Sequence, residues 1–275
     1  MMTKSLASLA AFTALTGAAS AADLPRRAAP PPVFTPVPVF TWTGAYFGIN
    51  AGYITSTKDS VRSAGVQALN SGVASGAHPA VLPLPQSGFT GGGQIGYNYQ
   101  FTPGSGIVVG VEADAAYTDM SRTRGVVATN SLGTDTRGTV YRQSMDYLGT
   151  VRGRVGYAID RTLVYATGGF AYAGMNYTGL YTNRFGTPDF LGNRSRTDTG
   201  WVAGGGIEYA LPTESFLNFF RSSAVTVKAE GLYYDLGQHT VPLVGVGAGR
   251  GAYVSRFQNE GVLGRVGINY KFGSY

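Results

Sequence analysis

Cysteine is absent from the 275 residues, histidine occurs only twice, and charged side chains make up 13% of the chain. Beyond the first 21 positions there is also no run of 18 apolar residues. Each absence excludes a class of protein. Without thiols there is no disulfide framework, no cysteine nucleophile and no thiolate zinc site. Without a long apolar run there is no helical membrane span. The two histidines, His78 and His239, leave little footing for acid–base catalysis, and Ser255 is a candidate nucleophile only by default. Two solvated loop histidines and no enzyme activity are the simpler expectation. Nothing in the composition calls for nucleic acid, a metal or a cofactor.

What is abundant is glycine, 41 residues, together with 44% hydrophobic residues that never run long. Alternation reconciles the two. From 89 to 101, odd positions carry Phe89, Ile95, Tyr97, Tyr99 and Phe101, and even positions carry Thr90, Gln94, Asn98 and Gln100. A period of two places these sets on opposite faces of one strand. The segment is longer than an ordinary strand and tipped by aromatics at both ends, as expected of a strand that crosses a bilayer.

The first 21 residues read as a signal peptide: Lys4, an apolar stretch, then Ala19-Ser20-Ala21 before the cleavage point. Residues 22–41 follow as a proline-rich, semi-rigid leader expected on the periplasmic side, and 42–275 as the barrel. Alternating segments recur eight times, near 43–54, 89–101, 107–117, 141–157, 162–174, 199–210, 224–234 and the stretch ending at Phe272. Connections at 55–87, 118–139, 175–198 and 236–256 are long, and those between them shorter. The expectation is an all-β, eight-stranded antiparallel up-and-down transmembrane β-barrel with long extracellular loops and short periplasmic turns. An even count also closes every strand edge, which a bilayer demands.

The faces opposite the apolar ones collect Glu112, Asp114, Asp146, Glu208 and Glu230 with Arg152, Arg154, Lys228 and Arg265. Eight strands enclose too little space for an open channel, so these charges are expected to pair inside. Two functions fit such a set: an ion pathway, or a polar plug that stabilises the barrel, which is the plainer expectation. The run from Gly91 to Gly96 also matches the dinucleotide fingerprint G-x-G-x-x-G. That fingerprint needs a following helix, whereas a strand continues here. With Lys4 removed, 20 basic residues face 15 acidic ones. This balance suits contact with outer-membrane lipid and lipopolysaccharide, with solvated loop charge as the plainer account.

Ala-Asp-Leu-Pro-Arg-Arg (22–27) and Trp-Thr-Gly-Ala-Tyr-Phe-Gly-Ile-Asn-Ala-Gly-Tyr (42–53) resemble the opening of the alphaproteobacterial outer-membrane proteins of 25 and 31 kDa. Gly-Gly-Gly-Gln-Ile-Gly-Tyr-Asn-Tyr-Gln (91–100), Val-Arg-Gly-Arg-Val-Gly-Tyr (151–157), Tyr-Ala-Thr-Gly-Gly-Phe-Ala-Tyr (165–172) and Val-Gly-Ile-Asn-Tyr-Lys-Phe (266–272) are similar to the same family. The resemblance implies a porin-like surface barrel in the cell outer membrane that supports envelope integrity and presents loops outside. Barrel assembly machinery is then an expected partner, reading an aromatic terminus that here would be Tyr275. Peptidoglycan is another, reached through the leader. A narrow pore for small solutes or ions, and a surface receptor for haem or another ligand, stay open as alternatives. No residue motif here corresponds to a haem site.

Overall fold

The computed structural model describes residues 39–58, 60–66, 69–212, 215, 217–247 and 251–273. The signal peptide, most of the leader, Phe216 and Tyr275 lie outside the described residues. The described chain runs β1 (Gly44–Ser56), β2 (Ser60–Gly65), α1 (Asn70–Ala74), β3 (Val81–Pro83), β4 (Ser87–Gln100) and β5 (Ser105–Thr129). It continues with β6 (Thr136–Ile159), β7 (Thr162–Thr182), β8 (Pro188–Ala210), β9 (Ala224–Gly245) and β10 (Ala252–Phe272). Eight of the strands form an antiparallel ring in the order β1-β4-β5-β6-β7-β8-β9-β10, closed by pairing of β10 with β1.

Burial alternates along the strands of the ring, and over the stretch that includes all of β1 and β4 the exposed set is apolar: Ile49 is 67% exposed, Tyr117 69% and Phe89 74%. An apolar wall of this extent belongs in lipid, not water. Aromatics mark its limits. Tyr147 and Tyr157 stand at either end of the apolar stretch of β6, ten positions apart. At about 3.3 Å per residue and a tilt near 40°, that spacing spans about 25 Å, the height of an outer-membrane apolar band.

The segments 118–139, 175–198 and 236–256, expected to be loops, are mostly strand. β5 has 25 residues, β8 has 23 and β9 has 22, so the barrel wall stands well above the membrane and only short turns join its tips. The first connection differs. β1 and β4 end near the outer aromatic belt, and β2 and β3 take their place in the wall above it. β10 pairs with β1 through Gly261–Phe272 and with β2 through Tyr253–Arg256. β2 then pairs with β3, and Arg124 on β5 donates to the Pro83 carbonyl at 3.2 Å.

The interior is layered. At the periplasmic end Phe40, Trp42, Val108, Ala158, Leu163 and Tyr165 pack together, with the Trp42 indole N–H donating to the Asp160 carbonyl at 3.2 Å. Polar and charged side chains fill the middle. Above the outer belt lies a large apolar cluster that includes Met120, Tyr141, Met145, Tyr177, Tyr181 and Phe257.

Candidate functional site

Strand register creates the charged layer. Glu112 and Arg152 are directly opposite on β5 and β6, Glu208 and Lys228 on β8 and β9, and Glu230 and Arg265 on β9 and β10. Three of the four acids thus start beside a base on the inward face, Asp114 stands between Gln94 and Thr150, and long side chains then reach across the lumen.

Arg152 lies 2.8 Å from Glu230 and 3.1 Å from Asp114, and also bonds Glu112. Arg265 meets Glu230 at 2.7 Å and Asp114 at 3.0 Å. Lys228 meets Glu112 at 2.8 Å, and Arg154 meets Glu208 at 2.8 Å. Neutral groups complete the shell. Thr150 donates to Asp114 at 2.6 Å, Asn269 donates to Glu208 at 2.9 Å, and Tyr165 donates to Glu230 at 3.1 Å. All eight charged side chains are essentially excluded from solvent, and four bases balance four acids. Charges buried at this depth are tolerable only when paired and hydrogen-bonded as they are here.

Two tyrosines that interrupt the alternation find their explanation in this layer. Tyr46 points inward, donates to Glu112 at 2.7 Å and accepts from Arg154 at 3.0 Å. Its ring occupies the space opposite Gly96, where a Cβ would come within 2.4 Å of the ring. Tyr165 lies beneath the Arg154 guanidinium, 3.9 Å from carbon to ring centroid. Each replaces a small residue of the inward face with a polar tip that reaches the network.

Asp146 is the exception among the nine expected lumen residues. It is exposed and accepts from Asn176 at 2.7 Å. A bulge is the cause: the register of β6 with both neighbours shifts between Met145 and Tyr147. Below the bulge even positions face inward, from Leu148 through Thr150, Arg152 and Arg154. Above it odd positions do, so Met145, Gln143 and Tyr141 are buried. The same shift carries the apolar Met145 inside, although its parity with Val151 and Val155 below the bulge would place it on the outer face. Without Asp146 the interior set is neutral rather than singly negative.

Neither histidine is a solvated loop residue. His78, between α1 and β3, is 1% exposed and stacks on Tyr181 with 3.9 Å between ring centroids. Its Nδ1 lies 3.0 Å from the Thr139 hydroxyl. His239 is half-buried on β9, with Nε2 3.2 Å from Asp198 and 3.1 Å from the Leu236 carbonyl. Ser255 shares hydrogen bonding with Tyr141 at 2.7 Å, and among the described residues neither histidine bonds to it. No group of three or more His, Asp or Glu suited to a metal ion occurs among the described residues.

A second polar network, several of whose members lie in segments that read as loops, crosses the upper interior. The Tyr141 hydroxyl meets Ser63 at 2.6 Å and Tyr181 at 2.7 Å, tying β2 to the ring. Tyr177 and Asn259 both bond Asp198, and Gln143 donates to Asn259 at 2.6 Å. The Tyr-x-x-x-Tyr spacing of Tyr177 and Tyr181, which puts both on one strand face, was its sequence signal.

A family model described as the outer membrane protein β-barrel domain matches residues 7–239. The chain is 34% identical over 272 residues to the 31 kDa outer-membrane immunogenic protein of Brucella melitensis, covering 97% of this chain and 98% of that one. It is 26% identical over 250 residues to the 25 kDa outer-membrane immunogenic protein of Brucella abortus, covering 88% and 86%. Among solved structures it is similar to the outer membrane protein OprG from Pseudomonas aeruginosa, with a TM-score of 0.47 and 14% identity over 84% of this chain and 97% of that one.

Proposed function

The chain belongs to the outer membrane protein β-barrel family, crossing the outer membrane several times by its strands, and we propose that within this family it is a structural, non-enzymatic barrel. In this reading it supports the envelope and presents a tall, ordered rim at the cell surface. The observation that carries it is the neutral network of four bases and four acids that fills the lumen. An ion entering that layer would have to separate pairs held at 2.7–3.1 Å, with an apolar layer above and another below. Breaking one partner away from a buried pair costs about 3–5 kcal/mol, too much for routine passage.

Single-channel recording from the refolded mature chain in a planar bilayer tests this reading. A folded, silent barrel is the expected result. Steady, reproducible openings that change size in Glu112→Ala would replace it with a narrow solute pore whose lumen charges act as a filter.

A further inference from the structure

Arg62 on β2 and Arg256 on β10 are direct register partners. Both are exposed, and the residues flanking them, Val61, Ser63, Ser255 and Phe257, are buried, so the two guanidinium groups project from the outer wall. Like charges placed opposite one another across a strand pair destabilise it. Among the described residues nothing offsets the repulsion by direct contact: neither arginine has an ion pair or side-chain hydrogen bond. The nearest carboxylate down the same outward column of β10, Glu260, is already engaged by Lys58 at 2.8 Å and Tyr233 at 2.8 Å. With Glu260 and its register partner Asp235 counted against Arg62, Arg256 and Lys58, the described residues of the patch keep one positive charge in excess.

The position of the patch names its counter-ion. Val262 faces lipid on the same strand and pairs with Tyr233 of the outer aromatic belt. Arg256 stands six positions beyond it, which at about 3.3 Å per residue and a 40° tilt is about 15 Å above the apolar band. That height lies in the head-group and inner-sugar zone of the outer leaflet. Two adjacent guanidinium groups are suited to bidentate contact with phosphate oxygens.

We propose that Arg62 and Arg256 form a clamp for the phosphate groups of outer-leaflet lipopolysaccharide, and that the bound anion neutralises the repulsion between β2 and β10. The clamp then fastens the β2–β3 segment to the ring on the lipid-facing side, as the Tyr141 hydroxyl does from within. This assignment stands whether or not the lumen conducts.

The test is binding of purified lipopolysaccharide to the refolded mature protein in detergent micelles, compared with the R62Q/R256Q variant. Wild type is expected to bind at least tenfold more tightly than the variant, with affinity falling as salt rises. Dephosphorylated lipopolysaccharide should bind wild type no better than intact lipopolysaccharide binds the variant. Equal affinity of wild type and variant overturns the proposal. Full displacement by inorganic phosphate at matched phosphate concentration would assign the clamp to a free anion and overturn the lipid assignment. Should the double variant fail to refold, R256K provides the same decision, because it keeps the charge and loses the bidentate fork. A wild-type affinity for R256K rejects the bidentate clamp, and a weakened one supports it.

Discussion

The same strands build two barrels of opposite polarity, one above the other. Within the membrane the wall is apolar and the interior holds eight paired charges. Above the outer aromatic belt the interior is mainly apolar and aromatic, crossed by the hydrogen bonds of Tyr141 and Asp198, and outward positions include Thr123, Arg142, Arg256 and Gln258. The alternation of side chains is identical in both; what changes is the solvent outside. Ladder irregularities collect where the change occurs, between Tyr117 and Met120, Met145 and Tyr147, and Gln258 and Glu260. A bulge adds one residue and re-aims the side chains that follow. In β6 it brings the odd-numbered Tyr141, Gln143 and Met145 to the inside.

The lower barrel should be broken most severely by removing a shared cation. Arg152→Ala leaves Glu112, Asp114 and Glu230 short of a partner in a water-poor layer and is expected to cost about 3–5 kcal/mol. Urea unfolding of the refolded protein in lipid vesicles reads this directly. A loss under 1 kcal/mol would mean that water reaches the layer, and the case for a closed plug would fall with it.

In the upper barrel the dominant loss is packing. Tyr141 is fully buried, its ring packs edge-on to Tyr181 and Phe257, and its hydroxyl joins β2, β7 and β10. Tyr141→Ala is expected to cost about 3 kcal/mol, and Tyr141→Phe about 1 kcal/mol through the hydroxyl alone. The damage should stay above the belt. Hydrogen exchange ought to accelerate in β2 and β3 while the amides beside Arg152 and Arg265 keep their protection; loss of protection throughout would show that the two halves unfold as one unit.

Acidification distinguishes the halves more gently. Burial, and secondarily the positive charge of Arg137, push the His78 imidazole down to about 4, against the weaker opposing pull of Asp135. A base held neutral in the folded state contributes its full stability above its ordinary pKa near 6.5. That contribution is lost as pH falls from there toward 4, roughly 2 kcal/mol in all. Protection of the segment around α1 and β3 should therefore fall between pH 6.5 and 4. In His78→Phe, which keeps a ring against Tyr181, this part of the pH dependence should vanish. If protection in the variant falls just as steeply, another group is responsible.

The lower barrel was legible from sequence because lipid imposes one rule on every strand: apolar residues face out. That rule locates the eight crossings, and it places Glu112, Asp114, Arg152, Arg154, Glu208, Lys228, Glu230 and Arg265 on the inward face where the structure holds them. Above the belt the rule has no force. Segments with apolar residues facing in and glycine, serine and threonine facing out lack an apolar outer face, so 118–139, 175–198 and 236–256 read as loops. Tyr177 and the buried His78, inside segments that read as loops, were hidden for the same reason. The β2–β3 substitution in the wall depends on long-range pairing with β10, for which a single sequence offers no local signal.

Asp146 provides the finest contrast, since it lies on the strand between the two regimes. Both Asp114 and Asp146 fall in alternating segments on the face opposite apolar residues, and sequence alone treats them alike. The structure separates them: Asp114 accepts from Arg265 at 3.0 Å, Arg152 at 3.1 Å and Thr150 at 2.6 Å in a closed interior, whereas Asp146 sits exposed on the bulge with Asn176. Replacing Asp146 by Asn keeps the shape and one acceptor oxygen in water, and should change stability by less than about 0.5 kcal/mol. Asp114→Asn leaves two arginines facing a neutral amide whose N–H groups point at donors, and should cost several-fold more. The ratio of these two losses in parallel unfolding curves measures the bulge itself. Equal losses would mean that β6 continues without a register shift and carries Asp146 into the lumen, undoing the boundary between the two halves.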